Sequence, residues 1–134
     1  MFNLKKGCVI ILTVYSSQNC TSSIKTKKWL EKNNVDFIEK SIAPQSMKSK
    51  DIKLLLRMIE DGPSELLNIY YKNIYCEFIN HLNINELKFF LNDKPYVIQT
   101  PILVDEFRIV TGYNEFELLR FLPKRIERFD LASI

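Results

Sequence analysis

Glycine is scarce in this chain, with three residues in 134. That excludes a phosphate cradle of the dinucleotide or P-loop kind, which needs several glycines close together to bare its backbone N–H groups. Histidine occurs once, at His81, with no companion at metal-ligand spacing. The three cysteines, Cys8, Cys20 and Cys76, are scattered and form no C-x-x-C pair. No zinc site follows from such a set, and no metal or other cofactor is implied. An odd cysteine count also argues against a disulfide framework and for a reducing compartment.

Charge of one sign is lacking too. Nineteen Lys and Arg against 16 Asp and Glu leave +3, short of the dense basic face of a DNA reader. No apolar run approaches the roughly 20 residues of a membrane span. Lys5-Lys6 ahead of Cys8 to Tyr15 imitates a signal peptide, but the apolar part is short, holds Thr13, and leads into Ser16-Ser17-Gln18-Asn19 without a small-residue cleavage pattern. The expectation is a cytoplasmic protein that touches no membrane.

What is present is ordinary for a globular protein: 46% hydrophobic and 26% charged residues. The length fits a single domain, residues 1–134, able to bury about two thirds of its unfolded surface. Val9 to Tyr15, rich in Val, Ile, Thr and Tyr, reads as a first strand. A helix follows from about Cys20 to Asn33, with Ile24, Trp29 and Leu30 as its candidates for burial. Val35 to Ile38 alternates like a second strand. Ile52, Leu55, Leu56 and Ile59 then share one helical face, flanked by Leu54 and Met58, with Arg57 turned away. Gly62 is read as the end of that helix and Pro63 as the first position of the next. Asn83 and Glu86 form a capping box, with Leu82 and Leu87 as its staple. Ile102-Leu103-Val104, a turn at Asp105-Glu106-Phe107, and Arg108-Ile109-Val110 make a hairpin. Asn114 caps a last helix, with Glu117 three residues on, Tyr113 and Leu118 as staple, and Pro123 as its stop. The order β-α-β, helices, β-β-α is that of a thioredoxin-like α/β domain, formed by residues 8–42 and 96–134, with a helical insertion over 46–95.

Cys20 sits just past a strand at a helix start, where orphan N–H groups and the helix dipole favour a thiolate. The competing reading is an inert cysteine at a helix start. Ser23 stands where a second cysteine would complete C-x-x-C, and a hydroxyl cannot resolve a mixed disulfide. Cys8 and Cys76 read as structural. Thr100-Pro101 ahead of a strand is placed for a cis peptide facing the cysteine, against an ordinary trans proline opening an edge strand. His81 reads as a surface or capping residue. Arg120, Lys124, Arg125 and Arg128 read as a solvated face.

Four groups of residues carry a resemblance. They are Cys20-Thr21-Ser22-Ser23; Leu56-Arg57-Met58 with Glu60-Asp61-Gly62; Pro101-Ile102 with Asp105-Glu106; and Gly112-Tyr113-Asn114-Glu115 with Arg120-Phe121-Leu122-Pro123. Together they resemble the Spx family, small bacterial transcription regulators on the arsenate reductase variant of the thioredoxin-like fold, from about Val9 to the C-terminus. The resemblance implies a non-enzymatic regulator, monomeric when free, with no sequence-specific DNA reading of its own. Its implied partner is the C-terminal domain of the RNA polymerase α subunit, contacted through Arg57, Met58, Glu60, Asp61 and Gly62. The family's Glu-Asp-Gly glycine maps onto Gly62, which a helix C-cap role also explains. Three positions depart from the family: Ser23 replaces the second cysteine, Thr100 an arginine before the proline, and Tyr70 another arginine. Those changes argue against reductase activity and against an intramolecular disulfide switch; the enzymatic alternative is a monothiol oxidoreductase or arsenate reductase-like enzyme using Cys20.

Overall fold

The structure, a computed structural model, describes residues 11–122. Its sheet has four strands: β1 (Thr13–Ser16), β2 (Ile38–Ser41), β3 (Ile102–Val104) and β4 (Ile109–Thr111). They are ordered β2-β1-β3-β4, with β1 parallel to β2 and the other two pairings antiparallel. The α-helices are α1 (Thr21–Lys32), α2 (Ser49–Met58), α3 (Ile69–Asn80), α4 (Ile84–Asp93) and the short α5 (Glu115–Leu118).

Alternation along the central strands divides the core in two, because successive side chains leave a strand on opposite faces. Tyr15, Ile102 and Val104 join Ile52, Leu55, Ile79, Leu87 and Leu91 on the face covered by α2, α3 and α4. Val14, Leu103 and Val110 meet Leu30, Leu118 and Phe121 on the face of α1 and α5. Burying a Leu or Ile fully contributes about 1.5–3 kcal/mol, so these two layers hold the sheet between them.

Locally driven features match the sequence reading. Asn83 and Glu86 exchange 2.8 and 2.9 Å hydrogen bonds at the start of α4. Asn114 accepts from the Glu117 N–H, and the hairpin turn is closed by the Asp105 carboxylate accepting from Phe107 and Arg108. His81 is the C-cap of α3.

Elements that depend on partners differ. The first strand starts at Thr13 within the described residues, because only from there do β2 and β3 supply ladder partners. The second strand runs over Ile38–Ser41 rather than Val35–Ile38. Asn34 is left-handed at φ 58° and the Val35 N–H closes α1 by bonding the Leu30 carbonyl, so Val35 and Phe37 pack beneath α1 instead of joining the ladder. On α1, Ile24 is exposed, and the small residues Ser23 and Thr26 take the inward positions with Leu30. Gly62 does not terminate α2. That helix ends at Met58 with Ile59 already extended, and Gly62 at φ 101° opens a 3-10 turn, Pro63–Leu66. Lys124, Arg125, Arg128, Cys8 and the Pro123 stop lie outside the described residues.

Candidate functional site

Two places carry the chemistry singled out above, and β1 runs between them. At its C-terminal end the chain turns through Ser17 to Asn19 into α1, which makes Cys20 the N-cap residue of that helix. The Thr100–Pro101 peptide is cis and packs against the thiol. The Thr100 hydroxyl donates to Cys20 Sγ at 3.3 Å, and the thiol lies 3.7 Å from the Thr100 carbonyl oxygen. Ser23 is fully buried, and its Oγ accepts from the Ser17 N–H at 3.4 Å.

Burial pushes the Cys20 thiol up, but the Ser23 and Thr100 hydroxyls and the N–H groups of Ser23 and Ser22 outweigh it and hold the thiol below its ordinary value. Every group in that balance is uncharged. Among the described residues the thiolate is therefore stabilised by dipoles, with no guanidinium fork of the kind that grips an oxyanion. Tyr70, in the other arginine position, lies exposed on α3. Thr100→Val is expected to raise the thiol's pKa and slow its alkylation at neutral pH, because it deletes one donor to sulfur. An unchanged pH profile of iodoacetamide labelling would refute that account.

The second place lies at the C-terminal end of α2, beside the start of β1. Arg57, Glu60 and Asp61 are exposed, while Met58 and Gly62 are half-buried. The corner from Ile59 to Gly62 is held from below. Glu65 accepts from the Asp61 N–H, and the Asn80 amide oxygen accepts from the Ser64 N–H at 3.2 Å. A depression of about 290 Å³ adjoins it, lined by Leu54, Arg57, Met58, Val104, Asp105 and Glu106. The structure thus places Arg57 and Met58 beside the hairpin turn. That neighbourhood joins segments about fifty residues apart, and no local sequence pattern announces it. The bond from the Thr100 hydroxyl to the Cys20 sulfur, between residues 80 positions apart, is likewise a detail that no local pattern announces.

A third group ties the layers together. Tyr15 donates to Asp51 Oδ1 at 2.7 Å, Lys40 bonds the same oxygen at 3.0 Å, and Asp51 Oδ2 accepts from the Lys48 N–H at 3.0 Å. It links β1, β2 and the start of α2, and nothing places it near either site.

A sheet of this order, a thiol at the N-terminus of the first helix, and a cis proline across from it define a class, and the comparisons agree. The ArsC family model matches residues 15–121, and the chain belongs to the ArsC family. An arsenate reductase from Vibrio cholerae has the same fold at TM-score 0.62 and 19% identity, covering 84% of this chain and 98% of that one. A possible arsenate reductase from Streptococcus mutans does so at TM-score 0.59 and 22% identity, covering 82% and 98%. This is the arsenate reductase variant of the thioredoxin-like fold. Within that class the chain is a member of the Spx family. It is 35% identical over 125 residues to the global transcriptional regulator Spx of Bacillus subtilis, covering 92% of this chain and 95% of that protein. It is 36% identical over 126 residues to Spx 1 of Bacillus cereus, with the same coverage.

Proposed function

We propose that this chain is a transcriptional regulator of the Spx type. It binds the C-terminal domain of the RNA polymerase α subunit through Arg57, Met58, Glu60, Asp61 and Gly62, and it works without an intramolecular disulfide switch. The observation that carries this reading is the exposed α2 corner in a chain whose relatives, matched over nearly their full length, are named global transcriptional regulators. Charged side chains around a half-buried methionine suit a modest protein contact, in which charge sets orientation and the apolar centre supplies affinity.

Titrating the isolated α domain with the full chain tests it. Arg57→Glu is expected to weaken binding about tenfold, roughly 1.4 kcal/mol. Its melting temperature should not move, since Arg57 is exposed. Affinity is expected to be the same with Cys20 reduced or blocked, because Ser23 cannot resolve an oxidised thiol. Failure of the wild-type chain to bind would remove the partner; equal binding by Arg57→Glu would remove the surface. The favoured thiolate of Cys20 supports a second reading, a monothiol oxidoreductase. Thiol-dependent arsenate reduction abolished by Cys20→Ser would establish that one instead.

A further inference from the structure

The α2 corner has little backbone bonding to hold its shape. The helix closes with the Ile59 N–H on the Leu55 carbonyl at 3.2 Å, and the next ordered element is the 3-10 turn Pro63–Leu66. Glu60, Asp61 and Gly62 lie between them, in neither helix nor strand. Pro63 has no N–H to give. Among the described residues no acceptor meets the N–H of Glu60 or of Gly62. Gly62, at φ 101°, also has more backbone freedom to lose than any other residue type. Such a segment samples many shapes unless a group outside it fixes one.

Glu65 supplies that group. Its carboxylate accepts from the Asp61 N–H, and its own N–H donates to the Gly62 carbonyl at 3.1 Å. One residue thus clasps Asp61 through its side chain and Gly62 through its backbone. The arrangement is a capping box displaced by one position, since the glutamate at the third place of the turn reaches the N–H before the N-cap rather than the N-cap's own. The turn that carries Glu65 is itself anchored. Leu66 is buried, and the Ser64 N–H donates to the Asn80 amide oxygen at the end of α3 at 3.2 Å. The carboxylate therefore reaches from a fixed base onto the one stretch that lacks bonds of its own. Glu65 is half-buried, whereas Arg57, Glu60 and Asp61 are exposed. Its carboxylate is turned to the backbone of the corner, while theirs are the charges open to a visitor.

We infer that Glu65 is a positioning residue for the polymerase contact, an assignment that rests on the function proposed above for the α2 corner. It holds the Glu60–Gly62 backbone in the shape the partner reads and does not touch the partner itself. A preformed corner binds without first being ordered, whereas a loose one gives up part of its contact free energy to ordering.

Titration of the α domain with the full chain, paired with NMR-detected amide exchange of the unbound chain, tests the assignment. Glu65→Ala is expected to weaken binding about fivefold. It should also speed exchange of the Asp61 N–H while the amides within α2 and α3 keep their protection. Glu65→Gln retains an acceptor oxygen and should restore most of both the affinity and the protection. A residue that met the partner through its charge would lose binding equally in the two variants. Melting temperature should hardly move in either, because the bond lies at the surface. Wild-type affinity in Glu65→Ala, unchanged exchange at Asp61, or equal loss in both variants would overturn the positioning role and leave the contact surface standing. A wild-type chain that does not bind the α domain would remove the partner, and the positioning role with it.

Discussion

Gly62→Arg is expected to weaken binding to the polymerase α domain by more than about tenfold, at least roughly 1.4 kcal/mol. A long side chain at this corner blocks the approach that the bare backbone permits. The same substitution acts on the fold. Gly62 sits at φ 101° and ψ 175°, a region essentially closed to residues with a Cβ, and occupying it costs about 1–3 kcal/mol. An added Cβ would also stand 3.2 Å from Asn80 Oδ1, the oxygen that holds the Ser64 N–H. Gly62→Ala separates the two effects. It should reproduce the stability loss, read by thermal melting, while keeping most of the affinity, read by titration of the folded protein. Full affinity in a folded Gly62→Arg chain would dismiss this corner as the contact.

Asp51→Ala is expected to be the more damaging change to the fold, costing about 2–3 kcal/mol. It leaves the buried Tyr15 hydroxyl without its acceptor and the Lys48 N–H uncapped. The Lys40 contribution is small because that ammonium is 40% exposed and screened by water. For a domain of this length the melting temperature should fall by roughly 10 °C. Tyr15→Phe should cost less, about 1 kcal/mol, since Asp51 keeps its other two donors.

The effect has a pH signature. Burial pushes the Asp51 carboxyl up, but the Tyr15, Lys48 and Lys40 hydrogen bonds more than offset it and hold the group below its usual value. A carboxyl with a depressed folded-state pKa contributes stability above the unfolded value, near 4, and loses it as pH falls through the folded value. The gap in melting temperature between wild type and Asp51→Asn should therefore be full at neutral pH and narrow at acid pH. A gap that widens on acidification would show that Asp51 is not held as a carboxylate. Tyr15 has the opposite dependence. Burial and the Asp51 carboxylate raise it far above its ordinary value, so its share persists at neutral pH and declines as pH climbs past about 10.

Legibility followed the range of the forces involved. The caps at Asn83 and Asn114, the Asp105 turn and the placement of Cys20 at a helix start are made among residues within a few positions of each other. Their spacing therefore carried the information. The second strand failed for the converse reason. Apolar alternation at Val35 and Phe37 reflects packing beneath α1, while the edge strand that follows is exposed and has no buried face to mark it. Gly62 was legible as a special backbone position but not as what it is, because closing α2 and opening the next turn use the same residue type.

Asn92 makes the contrast plain. It reads as one more polar residue in α4, yet it is buried, accepts from the Met47 N–H at 2.8 Å and donates to the Met47 carbonyl at 2.8 Å. It thereby fastens the approach to α2 against α4. Likewise Ser23 and Thr26 look like the polar side of α1 and are the inward one, because a helix lying close on a sheet needs small side chains there.

The sequence by itself determined the order of elements, the helix starts, the lone thiol with a serine in the resolving position, and the family resemblance. Each of these is carried by neighbouring residues. Only the tertiary structure decided that Thr100 acidifies Cys20, that Arg57 and Met58 lie beside Glu106, and that α3 leaves Tyr70, Ile74 and Phe78 facing solvent. Periodicity says which side chains share a face. Which face is covered depends on what the rest of the chain has available to lay against it.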